Sequence, residues 1–529
     1  MAKEAKRPAE SPPGPAMLPS FDPASGTVTG EFASSSPAEV RTAVERARRA
    51  AGPWGALPVR ERARTVARLR TRIHERMDEI VETVSQENGK PAAEALAHDV
   101  VPSLVTLAYL EQIAPRALRS RPVGRLMGPV LGTTSRIDWR PFGVVGCIAP
   151  WNYPFFLSMM AVTPALLAGN AVVLKPSEMT PGVGERLREV LDVLPPGVAT
   201  VVQGAGEVGA ALVDAPCDKL CFIGSTATGR TIAEAAARHL TPVVMELGGQ
   251  DAAIVAEDAD LDIASSGVLW GAFLNAGQTC CAIERAYVVE SIADRFEHQL
   301  LEKLAKVSRG PGGDIGPLTV PRQLQTVRGH VDDAVGKGAA VLTGGAGRSG
   351  GNGDGGLWYE PTVLEGRSED MDLFREETFG PVLPIVRVRD VDEAVRRANE
   401  DGYNLTASVW TRSPETARTV ASRLVAGTVT VNDHAITASA PWGAWGGVGE
   451  SGYGRLHGEL GLREFAVPVH VSRNLTPWLK RPWWYPYDEA TTRVLRGVAD
   501  LLSTPSWAEK RRAVGQIAAN LGRSIKDKL

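Results

Sequence analysis

The sequence predicts an α/β protein, with a parallel sheet covered by helices on both faces followed by a second α/β domain. Three observations carry that reading. Short apolar runs at Val144–Ile148, Ala171–Leu174, Thr200–Val202, Lys219–Phe222 and Pro242–Glu246 alternate with helical stretches, and strands buried on both faces read as continuous apolar runs. A second alternating series runs from Ala252 to about Asp433, broken by a Gly-rich loop at Gly344–Gly356. Two glycine-bearing strand-to-helix turns lie within the first series, Gly204-Ala-Gly206-Glu-Val-Gly209 and Gly224-Ser225-Thr226-Ala227-Thr228-Gly229. Both present backbone amides at a helix start, where a pyrophosphate can be held.

The elements follow in order. Residues 1–20 are rich in Pro, Ala and charge without an apolar core segment, which reads as a disordered lead and not a signal peptide. Ser36-Pro37-Ala38-Glu39 combines a capping Ser, a first-turn Pro and an acid three residues after the cap; it should launch a helix through about Ala51. A second helix is expected from about Val59 to Asn88, stopping at Gly89, and a third to about Ala114, where Pro115 would end it. The short, partly alternating segments of Pro122–Pro141 suggest a hairpin. Phe155–Leu174 is uncharged over 20 residues, but Pro164 and Gly169-Asn170 interrupt it; a buried helix followed by a buried strand fits better than a membrane span. Asp260–Ala276 reads as an apolar helix closed by Gly277 in a left-handed cap, leaving Cys280 on an irregular turn before the strand Ala286–Glu290.

Charge and cysteine usage narrow the function. With 58 basic and 61 acidic residues the net charge is −3, so neither nucleic acid nor an acidic surface is implied as a partner. The five cysteines, at 147, 217, 221, 280 and 281, form no disulfide framework and show no metal-ligand spacing, which indicates a reducing compartment and no metal. Taken alone, Cys280 is either a reactive thiol or a small buried hydrophobe. The Gly204/Gly206/Gly209 turn matches a dinucleotide fingerprint formally, a weak signal by itself. The Gly224 turn resembles a phosphate-binding loop but carries Arg230 where a lysine is needed, which argues against an NTPase.

Six segments in order carry a resemblance: Pro141-Phe-Gly-Val-Val-Gly with Pro150-Trp151-Asn152-Tyr153-Pro154; Leu174-Lys175-Pro176-Ser177-Glu178; Phe222-Ile-Gly224-Ser225-Thr226; Glu246-Leu-Gly248-Gly249; Gly277-Gln278-Thr-Cys280; and Glu376-Glu377-Thr-Phe379-Gly380-Pro381. Over roughly residues 20–475 the chain resembles the NAD(P)-dependent aldehyde dehydrogenase superfamily. The resemblance implies an aldehyde dehydrogenase fold: a Rossmann-like cofactor domain (21–121 and 142–248), an α/β catalytic domain (249–458) and a small β bridging element (122–141 and 459–475) that joins subunits into a homodimer or homotetramer. It also implies that Cys280 is the nucleophile, passing through a thiohemiacetal and a thioester with hydride transfer to NAD(P). Asn152 would share an oxyanion hole with the Cys280 backbone N–H. Glu246 would be the general base for thioester hydrolysis, favouring the free acid over a coenzyme A ester.

By the same resemblance Trp151, Lys175, Glu178, Gly224, Ser225, Glu377 and Phe379 bind the cofactor. A carboxylate at Glu178 favours NAD over NADP by repelling a 2′-phosphate, although NADP stays open. Gly204, Gly206 and Gly209 are expected to serve sheet packing and the groove's edge. Tyr153, Leu157, Met160 and Leu274 would line the substrate pocket, pointing to an apolar, medium- to long-chain aliphatic aldehyde. Likeness to succinate-semialdehyde dehydrogenases in Tyr359-Glu-Pro-Thr-Val and Ser451-Gly-Tyr-Gly-Arg keeps a carboxylated aldehyde as the alternative, and a non-catalytic structural member of the family is the alternative of another class.

Three departures stand out. Gln250 and Ala252 replace the family's Lys and Pro, the Pro441–Arg455 loop carries about three extra residues, and a tail continues through 476–529. The tail combines Trp478, Trp483, Trp484 and Trp507 with an apolar stripe at Val494, Leu495, Val498, Leu501 and Leu502 and a basic stretch from Lys510 to Lys528. It suggests a packed helix, or else a peripheral membrane contact or a lid over a lipid-like substrate, on a cytoplasmic enzyme. Cys281 matches no required role and is expected either to pack or to partner Cys280 under oxidation.

Overall fold

In the computed structural model, residues 16–124, 132–345, 356–366, 370–400, 402–434, 436–526 and 528 are described, without the side chains of 436 and 437. Most of the expected lead and of the Gly344–Gly356 loop therefore lies outside the described residues. The chain forms two compact units: Met1–Arg119 with Trp139–Val467, and Ser120–Asp138 with Pro468–Leu529.

The larger unit contains two large sheets, besides two-stranded pairs. The first runs in the order Gly452–Tyr453, Val243–Glu246, Lys219–Ile223, Val144–Ile148, Ala171–Lys175, Ala199–Val201. All its pairings are parallel except that of Gly452–Tyr453. The second runs Val341–Thr343, Thr362–Glu365, Val382–Val388, Ile283–Val289, Asp251–Val255, Thr406–Trp410, Thr428–Val431, with only the Val341–Thr343 pairing antiparallel. The five strands read as continuous apolar runs form the body of the first sheet. Its added edge, Gly452–Tyr453, comes from a glycine-rich loop with no strand signature; Gly452 pairs with Glu246, bringing that loop onto the carboxylate's strand.

The uncharged segment resolves into the helix Pro154–Ala168, buried at every position, and the buried strand Ala171–Lys175. An all-round apolar helix has no solvent face to offer. Proline at its first turn starts it and left-handed Gly169 ends it. Among the described residues no helix is long and apolar enough to cross a membrane.

Several expectations need correction. Met17–Phe21, at the end of the expected lead, is a strand paired with Val28–Ala33. The Ser36-capped helix runs on to Ala56, with its capping box formed as expected. The helix expected over Val59–Asn88 is three, Val59–Val66, Arg68–Glu75 and Met77–Asn88; Arg76 departs from helical angles where no Gly or Pro announces a break. Pro115 sits inside the last turn of Val101–Ala117 instead of ending it, since a proline there removes a single backbone bond. Upstream, Leu96–Val100 is a π-helical turn, which rotates His98 and Asp99 relative to an ideal helix.

Arg121–Val123, Thr133–Pro141 and Ala466–Asn474 form a three-stranded sheet, the first two as the expected hairpin, and most of its residues belong to the smaller unit. The tail holds two helices, Glu489–Ser503 and Trp507–Lys526. Of the apolar stripe only Val494 is buried, while Leu495 and Leu502 are exposed. The seam is instead made by Thr491, Val494, Gly497 and Ala513, because the close approach at Gly497 leaves no room for a side chain beside Ile517.

Candidate active site

The turn that carries Cys280 starts earlier than expected. The apolar helix, capped by the Asp260 carboxylate, ends at Phe273, and the chain then turns through three consecutive left-handed residues, Asn275, Ala276 and Gly277 (φ 52°, 54° and 74°). A Cβ on Gly277 would lie 2.1 Å from the Gly380 carbonyl oxygen, so only glycine fits both the angle and the space. Two left-handed non-glycine residues are costly, and side-chain bonds hold them. Gln278 Nε2 donates to the Asn275 carbonyl (3.0 Å), and Asn275 Nδ2 donates to the carbonyls of Asn152 (2.9 Å) and Gln278 (3.2 Å). His434 Nε2 donates to the Cys281 carbonyl (2.6 Å) from a fully buried position.

Cys280 is partly exposed, and Cys281 beside it is buried. The Cys281 thiol, burial and the Glu246 carboxylate together push the Cys280 thiol well above its usual range. Glu246, 1% exposed at the end of its strand, is pushed up to about 7 by desolvation, against the opposing pull of hydrogen bonds from Cys280 and Trp445. Trp445 Nε1 donates to Glu246 Oε1 at 3.4 Å. A buried carboxyl poised near neutrality beside a thiol can exchange protons with the thiol or with water. Ser451 fixes the segment after Glu246: its hydroxyl donates to the Gly248 carbonyl (2.7 Å) and its carbonyl accepts from Leu247 N–H (3.2 Å).

Asn152 is 3% exposed. Its Nδ2 donates to the Gln278 carbonyl (3.1 Å), which leaves a second amide hydrogen for a substrate oxygen. Its own carbonyl is held by Lys90 Nζ (2.7 Å), Asn275 Nδ2 (2.9 Å) and Asn88 Nδ2 (3.3 Å). Lys90 and Asp99 form an ion pair at 3.0 Å with both side chains fully buried. Asp99 Oδ1 in turn accepts the backbone N–H groups of Phe155 and Phe156 (both 3.1 Å), an anion at a helix start. The sequence reading missed Lys90 and Asp99. A lysine after Asn88-Gly89 and an acid nine residues on look like two surface charges until the π turn brings them together.

Two cavities meet at Cys280. A groove of about 640 Å³ is lined by Trp151, Asn152, Glu178, Gly224, Ser225, Glu246, Gly248, Cys280, Glu377 and Phe379, among others. Six of the seven expected cofactor residues thus border one cavity. Lys175 is not among its lining residues; it is 5% exposed and paired with Glu178 at 2.6 Å. The Gly204, Gly206 and Gly209 positions do not line the groove either, and a Cβ on Gly204 would strike Val208.

The groove suits a nicotinamide dinucleotide. Ser225 caps the helix Thr226–Ala237, whose first turn opens on the groove and could hold a pyrophosphate. Glu178 could accept ribose hydroxyls. Trp151 and Phe379 meet edge to face with ring centres 5.6 Å apart. Glu377, pushed well up by desolvation and by Glu284, accepts the Gly249 N–H at 3.1 Å, and a Cβ on Gly248 would lie 2.3 Å from the Glu377 carboxylate, a cradle that closes if filled.

The second cavity, about 60 Å³, is lined by Tyr153, Leu157, Met160 and Leu274 as expected, and also by His98, Phe156, Trp270, Thr279 and Trp445. The Tyr153 hydroxyl and Thr279 Oγ1 share a hydrogen bond at 2.7 Å. Among the described residues lining this pocket there is no lysine or arginine. Desolvation and the nearby Lys90 hold the His98 imidazole below its usual range.

Comparison with known proteins gives the family. Residues 11–471 match the model of the aldehyde dehydrogenase family. The chain is 39% identical over 489 residues to 4,4'-diapolycopene aldehyde oxidase of a Methylomonas species, covering 92% of this chain and 91% of that protein. It is 40% identical over 438 residues to a Mycobacterium ulcerans protein provisionally named succinate-semialdehyde dehydrogenase (NADP+), covering 81% of this chain and 83% of the relative. Among solved structures, an aldehyde dehydrogenase of Mycobacterium tuberculosis complexed with NAD+ superposes with a TM-score of 0.82 at 32% identity, covering 88% of this chain and 96% of that one. The chain belongs to the aldehyde dehydrogenase family of oxidoreductases.

Proposed function

We propose that the protein oxidises an apolar, medium- to long-chain aliphatic aldehyde to the free carboxylic acid, with NAD as the preferred acceptor. The observation that carries the reading is the pocket at Cys280, lined by aromatic and aliphatic side chains with no Lys or Arg and backed by a buried Glu246. A carboxylated aldehyde brings an anion that this pocket does not pair.

The residues divide the chemistry as follows. The Cys280 thiol gives its proton to solvent water, and the thiolate sulfur bonds to the aldehyde carbon as the carbonyl electron pair moves onto oxygen, giving a thiohemiacetal. The carbonyl oxygen, now an oxyanion, accepts from the Asn152 amide and the Cys280 backbone N–H. A bound nicotinamide dinucleotide supplies the acceptor for the hydride that leaves this carbon. On the resulting thioester, Glu246 takes a proton from water as its oxygen attacks. The C–S bond then breaks, the acid departs and the sulfur leaves as thiolate. The aldehyde carbon has lost two electrons and gained one oxygen from water. Glu178 sets the preference for NAD by opposing a 2′-phosphate.

The test is initial rates of NADH appearance across straight-chain aldehydes, with succinate semialdehyde and an aromatic aldehyde alongside. Rates that climb with chain length support the proposal; turnover of the carboxylated compound alone overturns it. The second reading, a succinate-semialdehyde dehydrogenase, rests on the mycobacterial relatives. Cys280→Ser should abolish oxidation, and undiminished rates would refute the assigned nucleophile.

The three-stranded sheet, with residues 122–141 and 459–475, is proposed to join subunits into a homodimer or homotetramer. The tail's exposed Trp478 and Trp507 suggest a peripheral membrane contact, which cosedimentation with anionic liposomes tests.

A further inference from the structure

We infer that the hydrocarbon tail of a long substrate passes out of the Cys280 pocket between His98 and Trp270 and lies in a second, outer groove; this rests on the proposed aliphatic substrate. The inner pocket, about 60 Å³, offers roughly four to six water-sized positions, enough for the reacting carbon and a few neighbours. His98, Trp270 and Leu274 line it and equally line an open groove of about 860 Å³. The two spaces therefore share a rim.

That groove has an apolar floor. Leu269, Phe273 and Leu304 come from two packed helices, and the exposed Ala97 forms part of its wall. Trp270 is 41% exposed at the rim, a large apolar surface facing water that an alkyl chain would cover. The His98 ring stands between Tyr153 and Trp270, with ring centres 6.4 and 5.8 Å away. It is carried on the π-helical turn, a distortion that recurs at functional sites, and its depressed basicity keeps a neutral ring beside the chain. Continuity with the reactive pocket through three shared residues favours the substrate's own tail over a second copy of the protein.

The experiment fills the groove at Ala97 in the full-length protein. For the native enzyme kcat/KM should rise by about fourfold per methylene buried through medium chain lengths. Ala97→Trp should match the native enzyme on the shortest aldehydes and fall at least tenfold behind on a twelve-carbon aldehyde, through KM. Trp270→Ala, which removes the rim contact without adding volume, should flatten the same rise and covers the case in which Ala97→Trp fails to fold. If both variants follow the native chain-length profile, the groove does not hold the tail. If light scattering shows that Ala97→Trp changes the assembly while the profile persists, a second copy covers the groove and the inference is overturned. A native profile with no rise at all removes the proposed substrate itself, a separable outcome.

Discussion

Replacing Glu246 by glutamine should separate the two halves of the reaction. The amide retains size and can accept from Trp445 but cannot take a proton from water, so thioester hydrolysis should slow by about 10²–10⁴-fold while the first hydride transfer continues. Rapid-mixing absorbance should show a burst of close to one NADH per active site followed by a depressed steady rate. The native carboxyl, at about 7, is ionised by about a tenth at pH 6 and nine-tenths at pH 8. The native hydrolysis rate should rise with pH across that interval, and the Glu246→Gln rate should not.

Stability has a definite sign. Because the folded value lies above the usual 4.5, the native state holds a proton that the unfolded chain has lost. The associated stability is complete below about 4.5 and disappears as pH rises through about 7. The difference between 4.5 and about 7, at about 1.4 kcal/mol per pH unit, is on the order of 3 kcal/mol. The Glu246→Gln variant, which does not titrate at this position, should therefore gain stability relative to the native protein as pH rises from 5 to 8, read as a shift in urea midpoint. Loss of the burst together with the steady rate would refute the assignment of Glu246 to hydrolysis, and place it at thiol deprotonation instead.

Other changes probe the surroundings. Trp445→Phe removes the donor that opposes desolvation at Glu246, so the pH–rate profile should move to higher pH; an unchanged profile would count against this bond. Asn152→Ala should lower kcat by about 10²–10³-fold with little change in cofactor affinity, measured by steady-state rates and by NADH fluorescence titration. Gly248→Ala places a methyl against the Glu377 carboxylate and should raise the cofactor KM at least tenfold while the thiol still reacts with iodoacetamide. Lys90→Met leaves Asp99 buried without its cation and should cost about 3–5 kcal/mol of unfolding free energy; a urea midpoint within error of native would contradict the account of that pair.

The candidate site was legible through short segments that resemble a known family. Cys280, Glu246 and Asn152 each stand in a short segment whose neighbours are constrained for stated reasons, such as Gly277 against the Gly380 carbonyl. Less legible were residues whose importance comes only from arrival. Trp445 sits in a loop that looked merely long, until Gly452–Tyr453 joined the first sheet at Glu246 and brought the indole to the carboxylate. Lys175, expected at the cofactor, is paired with Glu178 instead of lining the groove.

By itself the sequence determined the alternation of strands and helices in the two sheets, the buried helix at Pro154–Ala168, and the short segments that carry Cys280, Glu246 and Asn152, because periodicity, capping and short motifs are local. Tertiary structure alone decided which distant charges are partners, where three left-handed residues hold the thiol's turn, and that a small pocket shares its rim with a larger apolar groove. Those features depend on packing between segments far apart in the chain, and desolvation, which sets the proton affinity of Glu246, exists only once they have closed around it.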